Sequence, residues 1–214
     1  MSDLPISPKR NCNRCPRLAS FRQANREKFP DWHNAPVESF GPTDAALLIV
    51  GLAPGLRGAN QTSRPFTGDA AGVLLYGTLR TFSFASGAYD ERADDGLVLQ
   101  NCRITNAVRC VPPQNKPITS EVVACSKFLQ GELTKLQHLQ VVLALGTLAH
   151  NAILRTLGYA QNSVKFSHGA IHQLPTGYVL ADSYHCSRYN TNTGRLTKKM
   201  FEDVFTGVQR LIVT

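Results

Sequence analysis

The chain has 214 residues, 43% of them hydrophobic and 18% charged, which suits one globular domain with a sizeable core and leaves little room for two. Lys and Arg outnumber Asp and Glu by 23 to 15, a formal charge of +8, so a polyanion is the partner to look for. No stretch nears the roughly 20 apolar residues of a membrane span, and the amino terminus lacks the hydrophobic run of a secretory signal. A soluble, cytoplasmic and, from its Asn, Gln and Cys, mesophilic protein is expected.

Residues 1–30 carry Lys9, Arg10, Arg14, Arg17, Arg22, Arg26 and Lys28 against Asp3 and Glu27. Such a run reads equally as a solvated face or a nucleic-acid surface. Residues 46–52 form an apolar strand, followed by a glycine-rich stretch, 51–72, and a helix over 72–84 with Leu74, Leu75, Leu79 and Phe82 along one side. Glycine lets backbone N–H groups approach a ligand, Phe66 offers a stacking face, and Asp69 is the one carboxylate in the stretch. That combination points to a site for a base or a sugar-phosphate.

A polar connection over 85–96 leads to a second strand, 103–108, a proline-rich loop, 110–117, and a helix over 120–137 capped by Thr119 or Ser120 with Glu121 in its first turn. A third strand, 140–145, turns at Gly146 into a helix over 147–157, repeating the order strand, glycine, helix. Residues 164–174 read as an edge strand or irregular, 178–183 as a strand and 196–212 as a helix. A second acid-free run, reaching into that helix, holds Arg188, Arg195, Lys198 and Lys199. The predicted fold class is α/β, three layers (α/β/α) around a mainly parallel sheet of about four strands. Ligands in such folds sit beyond the carboxyl ends of the strands, here 53–69, 106–117, 146–147 and 185–195.

Cys12 and Cys15, with Cys110 and Cys125, would supply four soft ligands if their segments meet; otherwise they are unrelated thiols. Four thiolates suit tetrahedral zinc or an iron–sulfur cluster, and the spacing does not choose between them. Cys102 reads as a small buried residue, and Cys186 has no near partner.

Gly51-Leu-Ala-Pro-Gly55, Arg64-Pro-Phe-Thr-Gly-Asp69, Thr105-Asn-Ala-Val-Arg-Cys110 and His185-Cys-Ser-Arg-Tyr-Asn-Thr-Asn-Thr-Gly-Arg-Leu-Thr197 together resemble the motifs of the family 5 uracil-DNA glycosylases. The resemblance runs from Cys12 to Thr197, with the four cysteines in the family's cluster order. It implies the uracil-DNA glycosylase fold and a [4Fe-4S] cluster in preference to zinc, held by Cys12, Cys15, Cys110 and Cys125 and tying the amino-terminal segment into a single domain, 1–214. It also implies a monomer that removes uracil from double-stranded DNA in base excision repair. Leu52 and Ala53 stand where many other uracil-DNA glycosylases carry an acidic or amide residue, an apolar version that marks family 5. Ser63 and Cys186 replace the more frequent Gly and Pro.

With that family in view the residues take roles. Phe66 stacks on the flipped base, Asn106 pairs with the uracil edge, and Gly51 and Ala53 complete the base pocket. Asp69 stabilises the sugar's developing positive charge or orients water, and His185 donates to the base carbonyl. Ser187, Arg188, Asn190, Gly194 and Arg195 hold phosphates while the His185 loop enters the minor groove. The competing readings are a core Phe66, a turn Asn106, a helix-capping Asp69 and a structural His185. The matched motifs contain no lysine, so a monofunctional enzyme leaving an abasic site is expected. The apolar Ala53 predicts a range extended to hypoxanthine and xanthine. The rivals are a family 4 type glycosylase, a non-enzymatic metal-stapled nucleic-acid binder, and a phosphate-loop enzyme, whose Gly-Lys-Ser/Thr ending is missing.

Overall fold

Leu47, Leu48, Ile49 and Val50 have no exposed surface, because strand β1 (Leu47–Gly51) runs inside a parallel sheet covered on both faces. The computed structural model describes residues 4–212, so the extreme ends of the expected 1–214 domain lie outside the described residues. Strands β4 (Cys102–Asn106), β1, β5 (Val141–Leu145) and β7 (Val179–Ser183) lie parallel in that spatial order. A short strand β6 (Ile171–Gln173) closes one edge antiparallel to β7. It lies within 164–174 and brings the sheet to five strands against about four expected.

Alternation along β1 sorts the core into two faces. Leu47 and Ile49 join Leu75, Leu79, Phe201 and Phe205 from α3 (Ala70–Thr81) and α7 (Lys198–Leu211). Leu48 and Val50 join Leu129, Leu133 and Ile153 from α4 (Thr119–Lys135) and α5 (Thr147–Thr156). The strand's period of two thus gives the three α/β/α layers. At the sheet's far side the fully buried Asp182 of β7 pairs with His150 of α5 at 2.7 Å and with His172 of β6 at 3.2 Å. That contact fixes the strand leading to His185.

Several boundaries differ from the sequence reading. Helix α3 starts at Ala70 instead of 72, because the Asp69 carboxylate accepts the N–H groups of Ala71 and Gly72. Helix α4 takes Ile118 as its cap in place of Thr119 or Ser120, and Glu121 accepts the Ile118 N–H at 2.9 Å. The connection over 85–96 is framed by two short antiparallel strands, β2 (Ala85–Ser86) and β3 (Val98–Leu99). Helices α1 (Pro16–Lys28), α2 (Ala59–Thr62) and α6 (Arg188–Asn192) carry no apolar stripe; of α1 only Leu18, Arg22 and Asn25 are buried.

Beyond β4 the pairing with β1 continues as Ala107 N–H to Gly51 O and Val108 N–H to Leu52 O, both 2.9 Å. Behind it the buried Glu132 carboxylate accepts from Arg103 at 2.7 Å and Arg109 at 3.2 Å. Burial alone would raise the Glu132 carboxyl, but the two guanidinium groups outweigh it and hold it below the ordinary value.

Candidate active site

A cavity of about 650 Å³ opens beyond the carboxyl ends of β1 and β4, walled by Leu52, Ala53, Pro54, Arg57, Phe66, Asp69, Asn106, His185 and Arg188. Three chain segments that are distant in sequence therefore meet at one opening. Phe66, Asp69, Asn106, His185 and Ala53 all line it, as expected from the motifs.

Gly51 sits behind this wall, where a Cβ would lie 2.5 Å from Asn106 Oδ1 and 2.6 Å from Phe66 Cζ. The missing side chain lets the amide and the ring close in on each other. Asn106, 3% exposed at the end of β4, makes no side-chain hydrogen bond to another described residue. An amide left free at a cavity wall can donate and accept at once. Phe66 adopts a left-handed backbone, φ +54°, and its ring lies 5.8 Å from the His185 imidazole.

Asp69 divides its two oxygens. Oδ1 caps α3, accepting Ala71 N–H at 3.0 Å and Gly72 N–H at 3.3 Å. Oδ2 faces Gly55 and Gly58, where a Cβ at Gly58 would come within 2.6 Å of it. The capping reading and the cavity reading are both geometrically true of this one side chain. His185 Nδ1 is buried without a hydrogen-bond partner among the described residues. Burial lowers the imidazole's pKa and the nearby Asp69 opposes this only in part, so the ring is neutral at pH 7.

The loop after His185 is shaped from within. Asn190 Nδ2 donates to His185 O at 2.8 Å, and Ser187 caps α6 by accepting the Asn190 N–H. Gly194 turns the chain at φ +71°. Arg188 reaches the cavity wall, whereas Arg195 stacks over Tyr184, 4.7 Å from its centroid, in a neighbouring depression of about 330 Å³. The depression includes Gly146, Thr147 and Phe166. The sequence reading assigned no role to Arg57, Tyr184 or Tyr189. Tyr189 is 71% exposed on α6, and an aromatic directly after Arg188 in an acid-free run is the signal in the sequence that could have found it.

Cys12, Cys15, Cys110 and Cys125 line one small cavity with Leu18, Val108 and Phe128. Arg22 Nη1 donates to Cys110 Sγ and Arg109 N–H to Cys125 Sγ, each at 3.4 Å. Burial pushes the Cys110 thiol up to about 11 and the Cys125 thiol up to about 12. Four cysteines lining one space, the sulfurs of Cys110 and Cys125 each receiving a hydrogen bond, form a donor set whose chemistry fits a thiolate-bound metal centre. Cys102 is buried in the core, as expected, and Cys186 is buried there too.

A family model described as the uracil DNA glycosylase superfamily matches residues 38–209. The type-5 uracil-DNA glycosylase of Thermus thermophilus is 43% identical over 94% of this chain and 93% of its own length. That of Mycobacterium leprae is 39% identical over 94% of this chain and 91% of its own. A type-4 uracil-DNA glycosylase of Pyrobaculum aerophilum is 31% identical over 70% of this chain and 62% of its own length.

Proposed function

The chain belongs to the uracil DNA glycosylase superfamily, and from that premise we propose that it is a monofunctional type-5 uracil-DNA glycosylase, acting as a single-domain cytoplasmic monomer on deaminated bases in double-stranded DNA. The observation that carries this reading is the convergence of Phe66, Asp69, Asn106 and His185 on one cavity.

A base inside a duplex must be flipped out to reach such a cavity, at a cost of a few kcal/mol that is lowest at mismatches. Arg188, Arg195 and the first amides of α6 offset that cost by holding phosphates, the N–H groups of Asn190, Thr191, Thr193 and Gly194 being engaged within the loop, and the exposed Tyr189 fills the space the base vacates. The flipped base stacks on Phe66 and pairs its imide edge with the free Asn106 amide. As the bond from C1′ to the base breaks, its electron pair leaves on the base and positive charge develops on the sugar. Asp69 Oδ2 faces that charge while Oδ1 stays on the helix. The neutral His185 donates an N–H toward the base carbonyl, where negative charge builds. Water adds at C1′ and its proton passes to the departing base anion, leaving an abasic site and the free neutral base. Among the described residues lining the cavity none is a lysine, which favours hydrolysis over Schiff-base chemistry.

The apolar Leu52 and Ala53 leave purine-sized room in a cavity of about 650 Å³, so hypoxanthine and xanthine are proposed as further substrates. Cys12, Cys15, Cys110 and Cys125 would hold a [4Fe-4S] cluster, and zinc is the less fitting occupant. Bound there, the group would cross-link the amino-terminal segment to the loop after β4 and to α4, apart from the hydrolysis.

The experiment is a panel of duplexes carrying uracil, inosine or xanthosine, treated with wild type and scored for alkali-dependent strand cleavage. Uracil release establishes the glycosylase. Binding with no base released would leave the metal-stapled binder, and complete resistance of the inosine duplex would favour the type-4 reading.

A further inference from the structure

Phe66 is bulky, yet it holds φ at +54°, a conformation rare for such residues and kept only where the surroundings impose it. Those surroundings are specific. Arg64 forks onto Asp95 with bonds of 2.8 and 2.7 Å and donates through Nε to Thr67 Oγ1 at 2.8 Å. Its guanidinium lies 5.2, 5.4 and 5.6 Å from the ring centroids of Phe40, Tyr76 and Tyr89. Tyr76 donates its hydroxyl to Pro65 O at 2.5 Å and Tyr89 donates to Phe66 O at 3.2 Å. A Cβ on Gly72 would fall 1.8 Å from Phe66 O, so the helix closes beneath the loop only because that residue is glycine. The backbone on either side of Phe66 is thus tied to groups behind the pocket wall.

We propose that Arg64, Asp95 and Tyr89 are positioning residues of the base pocket, which lock the left-handed Phe66 backbone and so set its ring at the stacking angle. The inference rests on the proposed stacking of a flipped base on Phe66. Asp95 belongs to the connection between β2 and β3, where it also accepts the N–H groups of Asp90 and Leu97 at 3.0 and 3.1 Å. That connection therefore serves as a brace for the pocket. A planar guanidinium suits the task, since it binds a carboxylate with two parallel bonds, keeps a third donor for Thr67 and stacks on aromatic faces. Burial would draw protons off Arg64, but the Asp95 pair outweighs it, and the same pair holds Asp95 below the usual carboxylate range. Both partners are thus charged, and their side chains are only 4% and 1% exposed.

A double-mutant cycle tests this. Single-turnover rates and half-saturating enzyme concentrations on a uracil duplex are measured for wild type, Asp95→Asn, Tyr89→Phe and Phe66→Leu, and for each of the first two variants combined with Phe66→Leu. Asp95→Asn should lower the maximal rate about 100-fold, the loss expected of a roughly 1 Å misplacement near the chemistry. Tyr89→Phe, which removes one oxygen and keeps the ring, should lower it about fivefold for the one hydrogen bond lost. Half-saturation should stay within about twofold, because the phosphate contacts lie elsewhere. The decisive readout is coupling: Phe66→Leu should cost much less in the Asp95→Asn or Tyr89→Phe background than in wild type. Equal Phe66→Leu factors in every background, or an Asp95→Asn rate within about twofold of wild type, would overturn the proposal. If Asp95→Asn does not fold, the Tyr89→Phe cycle decides alone. A wild type that releases no uracil would instead overturn the glycosylase reading beneath it.

Discussion

Asp69 caps α3 through Oδ1 and, on the proposed reading, serves the sugar through Oδ2, and a pair of substitutions separates the two. Asp69→Asn keeps an oxygen that can accept the Ala71 and Gly72 N–H groups now bound at 3.0 and 3.3 Å, and Asn caps helices about as well as Asp. Its thermal midpoint should therefore stay close to wild type. Asp69→Ala removes the cap at about 1 kcal/mol, a fall of roughly 2–4 °C in a chain of this size. Both variants lose the negative charge. A carboxylate about 4 Å from a developing cation contributes about 4 kcal/mol at an effective dielectric of about 20, equivalent to roughly a thousandfold in rate. Water in the half-open cavity screens part of this, so the expected loss is on the order of a hundredfold for each variant. The assay is single-turnover release of uracil from a labelled duplex, read by alkali cleavage, beside thermal unfolding of the same preparations. If Asp69→Asn kept a near wild-type rate while Asp69→Ala lost it, capping would be the whole role of Asp69.

Gly51→Ala drives a methyl against Asn106 and Phe66, at 2.5 and 2.6 Å. It should cost about 1–3 kcal/mol by overpacking and about a hundredfold in kcat/KM by misplacing both groups; full activity on the uracil duplex would mean that Phe66 and Asn106 do not grip the base. His185 has a pKa below its ordinary 6.5 because burial disfavours its charged form. Below that pH the unfolded chain takes up a proton that the native chain refuses, so this part of the stability is present above 6.5 and is lost as pH falls toward the lowered value. Urea midpoints at several pH values should fall less steeply in acid for His185→Asn than for wild type, and parallel curves would refute the buried neutral ring. Anaerobically purified wild type should be brown and contain iron, and Cys125→Ser should lose both colour and thermal stability; stoichiometric zinc in a colourless wild type would reverse the assignment.

The legible parts of the molecule share a physical reason. The apolar stretch ending at Gly51 reads as a buried strand because a doubly covered parallel strand leaves no polar face to blur its pattern. Phe66 and Asp69 stand out within the glycine-rich stretch itself, whereas Asn106 and His185 take their proposed roles from the resemblance to the family 5 motifs; the fold brings all four to one cavity. Helix α1 escaped notice because its order comes from Arg22 reaching Cys12 O and Cys110 Sγ, with no apolar stripe behind it. Asp95 looked like one polar residue in a polar connection, since its partner Arg64 is 31 positions away in the chain. The glycines misled in kind: Gly51 and Gly58 make room for the protein's own Asn106, Phe66 and Asp69, a purpose no local pattern distinguishes from cradling a phosphate.

The apolar Leu52 and Ala53 and the buried Arg64–Asp95 pair bear on the same problem. A site without a polar side chain at the strand end must find its charge elsewhere, and Asp69, anchored by the cap it makes on α3, supplies one held in a fixed place. A base seated against that apolar wall displaces part of the cavity's water, so the charge is then screened less and is worth more per contact. The same wall offers no hydrogen bond that a wrong base would leave unpaired, and such a penalty is what gives a polar pocket most of its discrimination. On the proposed reading, selectivity then falls to the Asn106 amide and to the angle of the Phe66 ring. This is why a chain with so permissive a wall would keep a buried, doubly charged brace behind that ring, where a hydrophobic pair would pack as well but aim less well.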